Sequence, residues 1–142
     1  MQRRETLLFA TIGIVGVGGC IGSQEPEVGL GEVSVQNLQD QPVVLRISVD
    51  RADEPVFEET YTLDGRDGRT VDGVTIAEEW MGDRVEYAVT VELVDEPLEQ
   101  SFSTSDAEEF VGDWGAHECF GCLFLIEDRM IDHALDPLET CP

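Results

Sequence analysis

Two stretches in which every second residue is apolar most constrain what this chain can fold into. The alternation covers residues 43–50 and 84–93. The apolar residues that share one face of each stretch are Val43, Leu45, Ile47 and Val49 in the first, and Val85, Tyr87, Val89, Val91 and Leu93 in the second. A period of two is typical of strands in antiparallel sheets with one buried face.

Weaker strand-like runs lie around these two stretches, at residues 32–38, 56–63, 70–77, 100–104 and 119–126. Turns rich in Gly, Pro and Asp separate the runs. Short strands at intervals of about 8–12 residues are typical of a β-sandwich. The sequence therefore predicts an all-β fold, an antiparallel β-sandwich of about seven strands.

One local motif adds detail to this prediction. Gly82-Asp83 followed by Tyr87-Ala88-Val89 is similar to the tyrosine corner of immunoglobulin-like sandwiches, in which a tyrosine hydroxyl bonds to the backbone a few residues upstream. No cysteine follows Tyr87 at the position that antibody domains use. The resemblance implies that the sandwich is immunoglobulin-like.

The N-terminal residues 1–19 have the order of a secretory signal, with Arg3-Arg4, then an apolar run over residues 7–17, then small residues before Cys20. The apolar run is too short to span a bilayer of ~30 Å. Arg3-Arg4 resembles the twin-arginine pair of export signals. Val17-Gly18-Gly19-Cys20 resembles a lipobox, which implies that the Cys20 thiol carries a lipid.

Cleavage before Cys20 would shorten the chain of 142 residues by 19, to 123 residues. Residues 20–31 show no periodicity and are rich in Gly, Pro and Glu. We expect them to form a flexible tether that holds the domain close to the membrane face. Residues 32–142 have the usual size of a single domain, and no linker interrupts them.

The charge of the chain excludes some classes of partner. The sequence contains 31 acidic and 8 basic residues, all of the latter arginine, for a net charge of −23. Removal of residues 1–19 takes away Arg3, Arg4 and Glu5, which leaves a net charge of −24. Because a nucleic-acid partner needs a basic surface, none is expected. The same charge argues against electrostatic docking on anionic lipid.

High acidity without lysine resembles the proteins of haloarchaea, among whose surface lipoproteins a twin-arginine-like signal with a lipobox is common. The general pattern of residues 32–128 is also similar to small immunoglobulin-like domains of such lipoproteins. The resemblance implies a β-sandwich at the cell surface and implies no activity. Acidic pairs such as Glu58-Glu59, Glu78-Glu79 and Glu108-Glu109 fit a solvated surface of this kind, and no calcium-binding loop is found.

The cysteines near the C-terminus leave four interpretations open. In an oxidising compartment, Cys119 and Cys141 form a disulfide if the chain turns back near Met130, with Cys122 as a buried thiol. Alternatively, Cys119 and Cys122 form a thioredoxin-like redox pair. A third possibility is a zinc or copper site made of His117, Cys119, Cys122 and Cys141. In the fourth, all the thiols are free and packed.

Other candidate chemistry is weak. No Gly-x-Ser-x-Gly elbow occurs, and no carboxylate pair stands out as catalytic. Trp80 and Trp114 lie next to turns and are expected to cover the ends of the sandwich.

We therefore expect a monomeric, non-enzymatic binding module without a cofactor, tethered to the membrane through a lipid on Cys20. Its partner would be another protein or a cell-surface component, and the rival hypothesis is a redox or metal-binding protein that uses Cys119 and Cys122.

Overall fold

A computed structural model describes residues 26–110 and 117–141 of the chain. The described residues form eight strands and one short helix. The strands are β1 Gly29–Asn37, β2 Val43–Arg51, β3 Glu54–Leu63, β4 Asp72–Ile76, β5 Tyr87–Leu93, β6 Glu99–Ser103, β7 Cys119–Glu127 and β8 Met130–Leu138. The helix, α1, spans Thr104–Glu108. Within this part of the chain, no helix is long and apolar enough to cross a membrane.

The strands form two four-stranded sheets, in the orders β4-β1-β7-β8 and β3-β2-β5-β6. All neighbouring strands are antiparallel except β1 and β7, which are parallel. The predicted all-β sandwich is confirmed, with eight strands among the described residues and one parallel pair.

The alternating stretches build the core between the sheets. Leu45, Ile47 and Val49 of β2 are fully buried, and the inward-facing residues of β5, at every second position from Tyr87 to Leu93, are at most 3% exposed. Strands β2 and β5 are antiparallel neighbours in one sheet, and their register places Ile47 opposite Val91. The apolar residues of β1 and β7 cover them from the other sheet. Each aliphatic side chain buried in this way stabilises the fold by roughly 1.5–3 kcal/mol.

The start of the domain differs from the prediction. Residues 28–31, assigned above to the tether, are buried, and β1 begins at Gly29. Gly29 packs so closely that a Cβ atom there would overlap the carbonyl oxygen of Asp83. Gly29, one of the glycines that suggested a loose linker, is therefore a site of close backbone packing. The predicted signal over residues 1–19, Cys20 and the tether up to residue 25 lie outside the described residues.

Two further elements were not predicted. No strand was predicted after residue 126, but Met130–Leu138 forms strand β8 along the whole of β7. The turn between them places Arg129 at φ 67°, a conformation that few side chains adopt. Helix α1 follows the N-cap residue Ser103, whose side chain and that of Asp106 form a capping box.

Strand direction gives the sandwich two distinct ends. The corner end holds residues 52–53, residues 77–86, helix α1 and the first residue of β7. The loop end holds the connections at residues 38–42, 64–71, 94–98 and 128–129. The described chain begins at the corner end, and β1 then runs to the loop end over nine residues, which is ~30 Å at ~3.3 Å per residue.

Candidate binding site

The cysteines of β7 lie on different faces of their sheet. Cys119 and Cys141 form a disulfide with a Cα–Cα distance of 5.2 Å, the pairing expected for a hairpin that turns near Met130. Residues three apart in a strand point to opposite faces. Cys122 accordingly packs in the core and is not brought to the sulfur of Cys119.

Cys122 is a buried free thiol, only 2% exposed. Burial raises the pKa of this thiol to about 12. Since the thiolate is both the nucleophile and the metal ligand, Cys122 is in its unreactive form at neutral pH. In the described ranges 26–110 and 117–141, no group of three or more His, Cys, Asp or Glu has the arrangement to hold a metal ion. Of the proposed ligand set, His117 lies half-buried just before β7.

The corner end is closed by the predicted tyrosine corner. The Tyr87 hydroxyl donates a hydrogen bond to the carbonyl oxygen of Trp80 at 2.8 Å and accepts one from the Asp83 backbone N–H at 3.3 Å. Arg51 forms an ion pair with Asp83. Hydrogen bonding to Asp83, and then to Tyr87, raises the pKa of the Arg51 guanidinium further above its usual value.

Aromatic rings complete this closure. Trp80 packs on Phe57 and Tyr87, with ring centroids 5.8 and 6.4 Å apart. Trp80 thus covers the end of the sandwich, as its position beside a turn predicts. Trp114 lies outside the described residues.

The loop end is open instead and contains a cleft of about 620 Å³. We call it the loop-end cleft. Its lining comes from the connections that meet at this end, and consists of Leu38, Gln39, Asp40, Gln41, Arg66, Glu96, Glu127 and Asp128. Four loops that are distant in sequence therefore shape one depression.

A buried amide holds these loops together. Asn37, at the end of β1, is completely buried. Its Nδ2 donates to the carbonyl oxygens of Gln41 at 2.8 Å and Asp64 at 3.0 Å, and its Oδ1 accepts from the N–H of Gln39 at 3.1 Å. One side chain thus satisfies the backbone of two loops, which fixes their shape before any ligand arrives.

Three further contacts bring the neighbouring loops to the same place. Gln39 Nε2 donates to the carbonyl oxygen of Glu127 at 3.0 Å, and the Arg66 N–H donates to the carbonyl oxygen of Gln39 at 2.7 Å. Gly65 lies so close to Asp40 that a Cβ atom would overlap the backbone there. The walls of the loop-end cleft are therefore built on rigid backbone contacts.

The loop-end cleft is rich in hydrogen-bond acceptors. It is lined by four carboxylates, two amides and one guanidinium. The closest approach of Arg66 to a carboxylate is 3.9 Å, from Nη2 to Asp40 Oδ1, which leaves the guanidinium loosely held. No His, Cys, Ser or Thr is among the lining residues. These side chains can bind a polar group through hydrogen bonds and ion pairs.

Sequence reasoning missed Asn37, although the sequence carries a signal for it. In β1 the inward positions are Val33 and Val35, and Asn37 continues the same face. A polar residue at an inward position just before a turn indicates a side chain that is used for the backbone of that turn. No protein-family model matches the chain, and the curated proteins contain no significant sequence match to it.

Proposed function

We propose that this chain is an extracytoplasmic lipoprotein, tethered to the membrane through a lipid on Cys20, whose sandwich is a non-enzymatic binding module. The observation that carries the proposal is the position of the loop-end cleft. It lies at the opposite end of the sandwich from the residues that the tether would enter. The partner is another protein or a cell-surface component, and the module acts as a monomer.

Geometry supports this arrangement. In this proposal the tether consists of the eight residues 20–27 that precede Val28, which is buried in the core. A tether of eight residues would reach ~16 Å if it behaved as a flexible chain. The corner end would then lie near the lipid, and the loop-end cleft would face outward, ~30 Å further away. A site that is directed away from its own membrane is accessible to partners outside the cell.

Composition supports the surface setting that the resemblance implies. A mature net charge of −24 repels itself in dilute salt, whereas at 1 M salt the Debye length falls to ~3 Å. A small haloarchaeal surface lipoprotein with an immunoglobulin-like sandwich fits this charge. For a protein from such an organism, the melting temperature should rise between ~0.1 and ~3 M KCl. An unchanged melting temperature would contradict a haloarchaeal origin.

The redox or metal alternative gains no support from the cysteines. Cys119 is bonded to Cys141, and the Cys122 thiol is buried on the other face with a pKa of about 12. A redox pair needs an accessible thiol of low pKa. Mass mapping of unreduced peptides from the native protein tests this alternative, since a Cys119–Cys122 bond or bound zinc would favour it.

Two measurements test the proposal. The intact mass of the protein from native membranes reports cleavage before Cys20 and the attached lipid, and Cys20→Ser should release the domain into the medium or block processing. A photo-crosslinker at Gln41, in the loop-end cleft, should give a discrete adduct on whole cells. The same crosslinker at Asp53, at the corner end, is the matched control, and equal adducts from both positions would refute a cleft-specific partner.

A further inference from the structure

The two long sides of the sandwich close differently. On the side formed by β6 and β8, Gln100 Nε2 donates to the carbonyl oxygen of Ile131 at 3.3 Å and lies 3.1 Å from His133 Nδ1. The His133 ring packs against Phe102 and Phe124, with centroids 5.2 and 6.5 Å apart. Hydrogen bonds and stacked rings therefore join the two sheets along this side.

The side formed by β3 and β4 leaves aromatic surface accessible. Phe57 and Tyr61 of β3 take inward positions opposite Val49 and Leu45, and Trp80 packs beside Phe57. All three are half-buried and rest against the core. We call Phe57, Tyr61 and Trp80 the aromatic edge.

Carboxylates flank the aromatic edge. Glu59 takes the inward position opposite Ile47, between Phe57 and Tyr61, yet it remains exposed. Glu78 lies two residues before Trp80, in the connection that follows β4. Burial raises the pKa of the Tyr61 hydroxyl, and the charges of Glu59 and then Glu78 raise it further.

The pairing of nearby charges leaves these two carboxylates available. Arg46 pairs with Glu92 at 2.8 Å and with Glu58 at 3.5 Å, on the outer face of the sheet. In the described part of the chain, no arginine lies within ion-pair distance of Glu59 or Glu78. Strand β3 is the edge strand of its sheet, and the inward-directed charge of Glu59 discourages a further strand from pairing with it. A partner at this side would therefore be recognised through side chains and not through backbone hydrogen bonds.

We propose that the aromatic edge binds an arginine-bearing segment of a partner protein, with a guanidinium stacked on an aromatic face and paired with Glu59 or Glu78. Charge complementarity favours a cationic partner, because the mature chain has a net charge of −24. Arginine suits the site better than lysine because its planar guanidinium stacks on rings while it bonds to carboxylates. The stacked contact also persists in molar salt, where charge attraction alone is screened.

The test uses the full mature chain at ~3 M KCl and a labelled peptide of alternating glycine and arginine, with affinity measured by fluorescence anisotropy. Glu59→Gln and Tyr61→Leu should each weaken binding by about fivefold, the size of one cation–π or close charge contact. Glu58→Gln is the matched control, since it removes the same charge from the neighbouring residue on the opposite face, and it should leave affinity within about twofold. Circular dichroism checks that each variant is folded.

Several results would overturn the proposal. Equal weakening by Glu58→Gln and Glu59→Gln would show general attraction to an acidic surface. Equal binding of a second peptide, with citrulline in place of every arginine, would show that the cation is not recognised. No binding of the arginine peptide by the unaltered protein would reject the site. Self-association that Tyr61→Leu abolishes would assign the aromatic edge to a second copy of the chain.

Discussion

The two ends of this sandwich use polar side chains for opposite purposes. At the corner end, the Tyr87 hydroxyl and the Arg51–Asp83 ion pair fasten a connection against the core, and Trp80 covers it. At the loop end, Asn37 fastens loops to one another and leaves a cleft of about 620 Å³ between them. Satisfied polar groups can therefore either close an end of a sandwich or hold a cavity open at it.

The difference follows from what each polar group is attached to. Tyr87 belongs to a core strand and reaches the backbone only through its hydroxyl, so its ring fills space. Asn37 has a short side chain whose donors and acceptor are all used within the loops. The large ring of Tyr87 fills the corner end and leaves no room for a ligand there. The small amide of Asn37 determines the shape of the loops without filling the cleft between them.

At neutral pH, removal of the disulfide should have the largest effect on stability, and the effect should fall on the corner end. Cys119 and Cys141 are separated by 22 residues, for which the chain-entropy model gives a stabilisation of about 3 kcal/mol. The double variant Cys119→Ala with Cys141→Ala should lose about that much free energy of unfolding in urea, and amide exchange at Leu138 should accelerate more than at Gln39.

Reductant provides the control for this prediction, because it should destabilise the unaltered protein and leave the double variant unchanged. If the double variant unfolds at the same urea concentration as the unaltered protein, the disulfide does not stabilise the corner end.

Alkaline pH should destabilise both ends together, because Cys122 lies in the shared core. The folded-state pKa of about 12 exceeds the unfolded value of ~8.5. The unfolded chain therefore ionises first, and stability that is fully present below about pH 8.5 is lost as pH rises toward 12, by ~1.4 kcal/mol per unit. Urea unfolding at several pH values measures the slope. Cys122→Ala should show a shallower slope over the same range, and an identical slope would contradict the assignment to Cys122.

Asn37→Ala should damage the loop end selectively. It removes three buried hydrogen bonds, and we expect a loss of ~2–3 kcal/mol, since each unmade bond leaves a buried group unsatisfied. Crosslinking from Gln41 should disappear even where the domain remains folded. Gln36→Ala, which alters the exposed neighbouring residue, should change the stability by less than ~0.5 kcal/mol. Comparable losses in both variants would mean that Asn37 does not organise the cleft.

Tyr87→Phe should have the smallest effect and should spare the loop end. It keeps the buried ring and removes the bonds to Trp80 and Asp83, for an expected loss of ~1–1.5 kcal/mol. Thermal unfolding measures the loss, and Tyr61→Phe, on the aromatic edge, is the control with little expected change. A loss of Gln41 crosslinking in Tyr87→Phe would show that the two ends are coupled.

The local sequence pattern was sufficient to predict a residue's position where that position depends on nearby residues in the chain. The alternation in residues 43–50 and 84–93 determined which faces of β2 and β5 are buried, because a strand with one dry face needs a period of two. The tyrosine corner was likewise predictable, since its hydroxyl bonds to the backbone only seven residues upstream. The cysteine spacing left the Cys119–Cys141 disulfide as one of four interpretations, and the β7–β8 hairpin brings these two cysteines together.

Other features depended on partners that are distant in the chain. Strand β8 lies at a sheet edge with only Ile131 buried, so it has no apolar face for a pattern to detect, and it exists because β7 supplies its hydrogen bonds. Gly29 resembles a linker residue in the sequence, but in the structure the backbone of Asp83, 54 residues later, packs against it. The parallel pairing of β1 with β7 and the loop-end cleft arise from long-range register, which alternation along one strand does not encode. The sequence by itself thus determined the buried faces, and the tertiary structure alone decided which strands and loops meet.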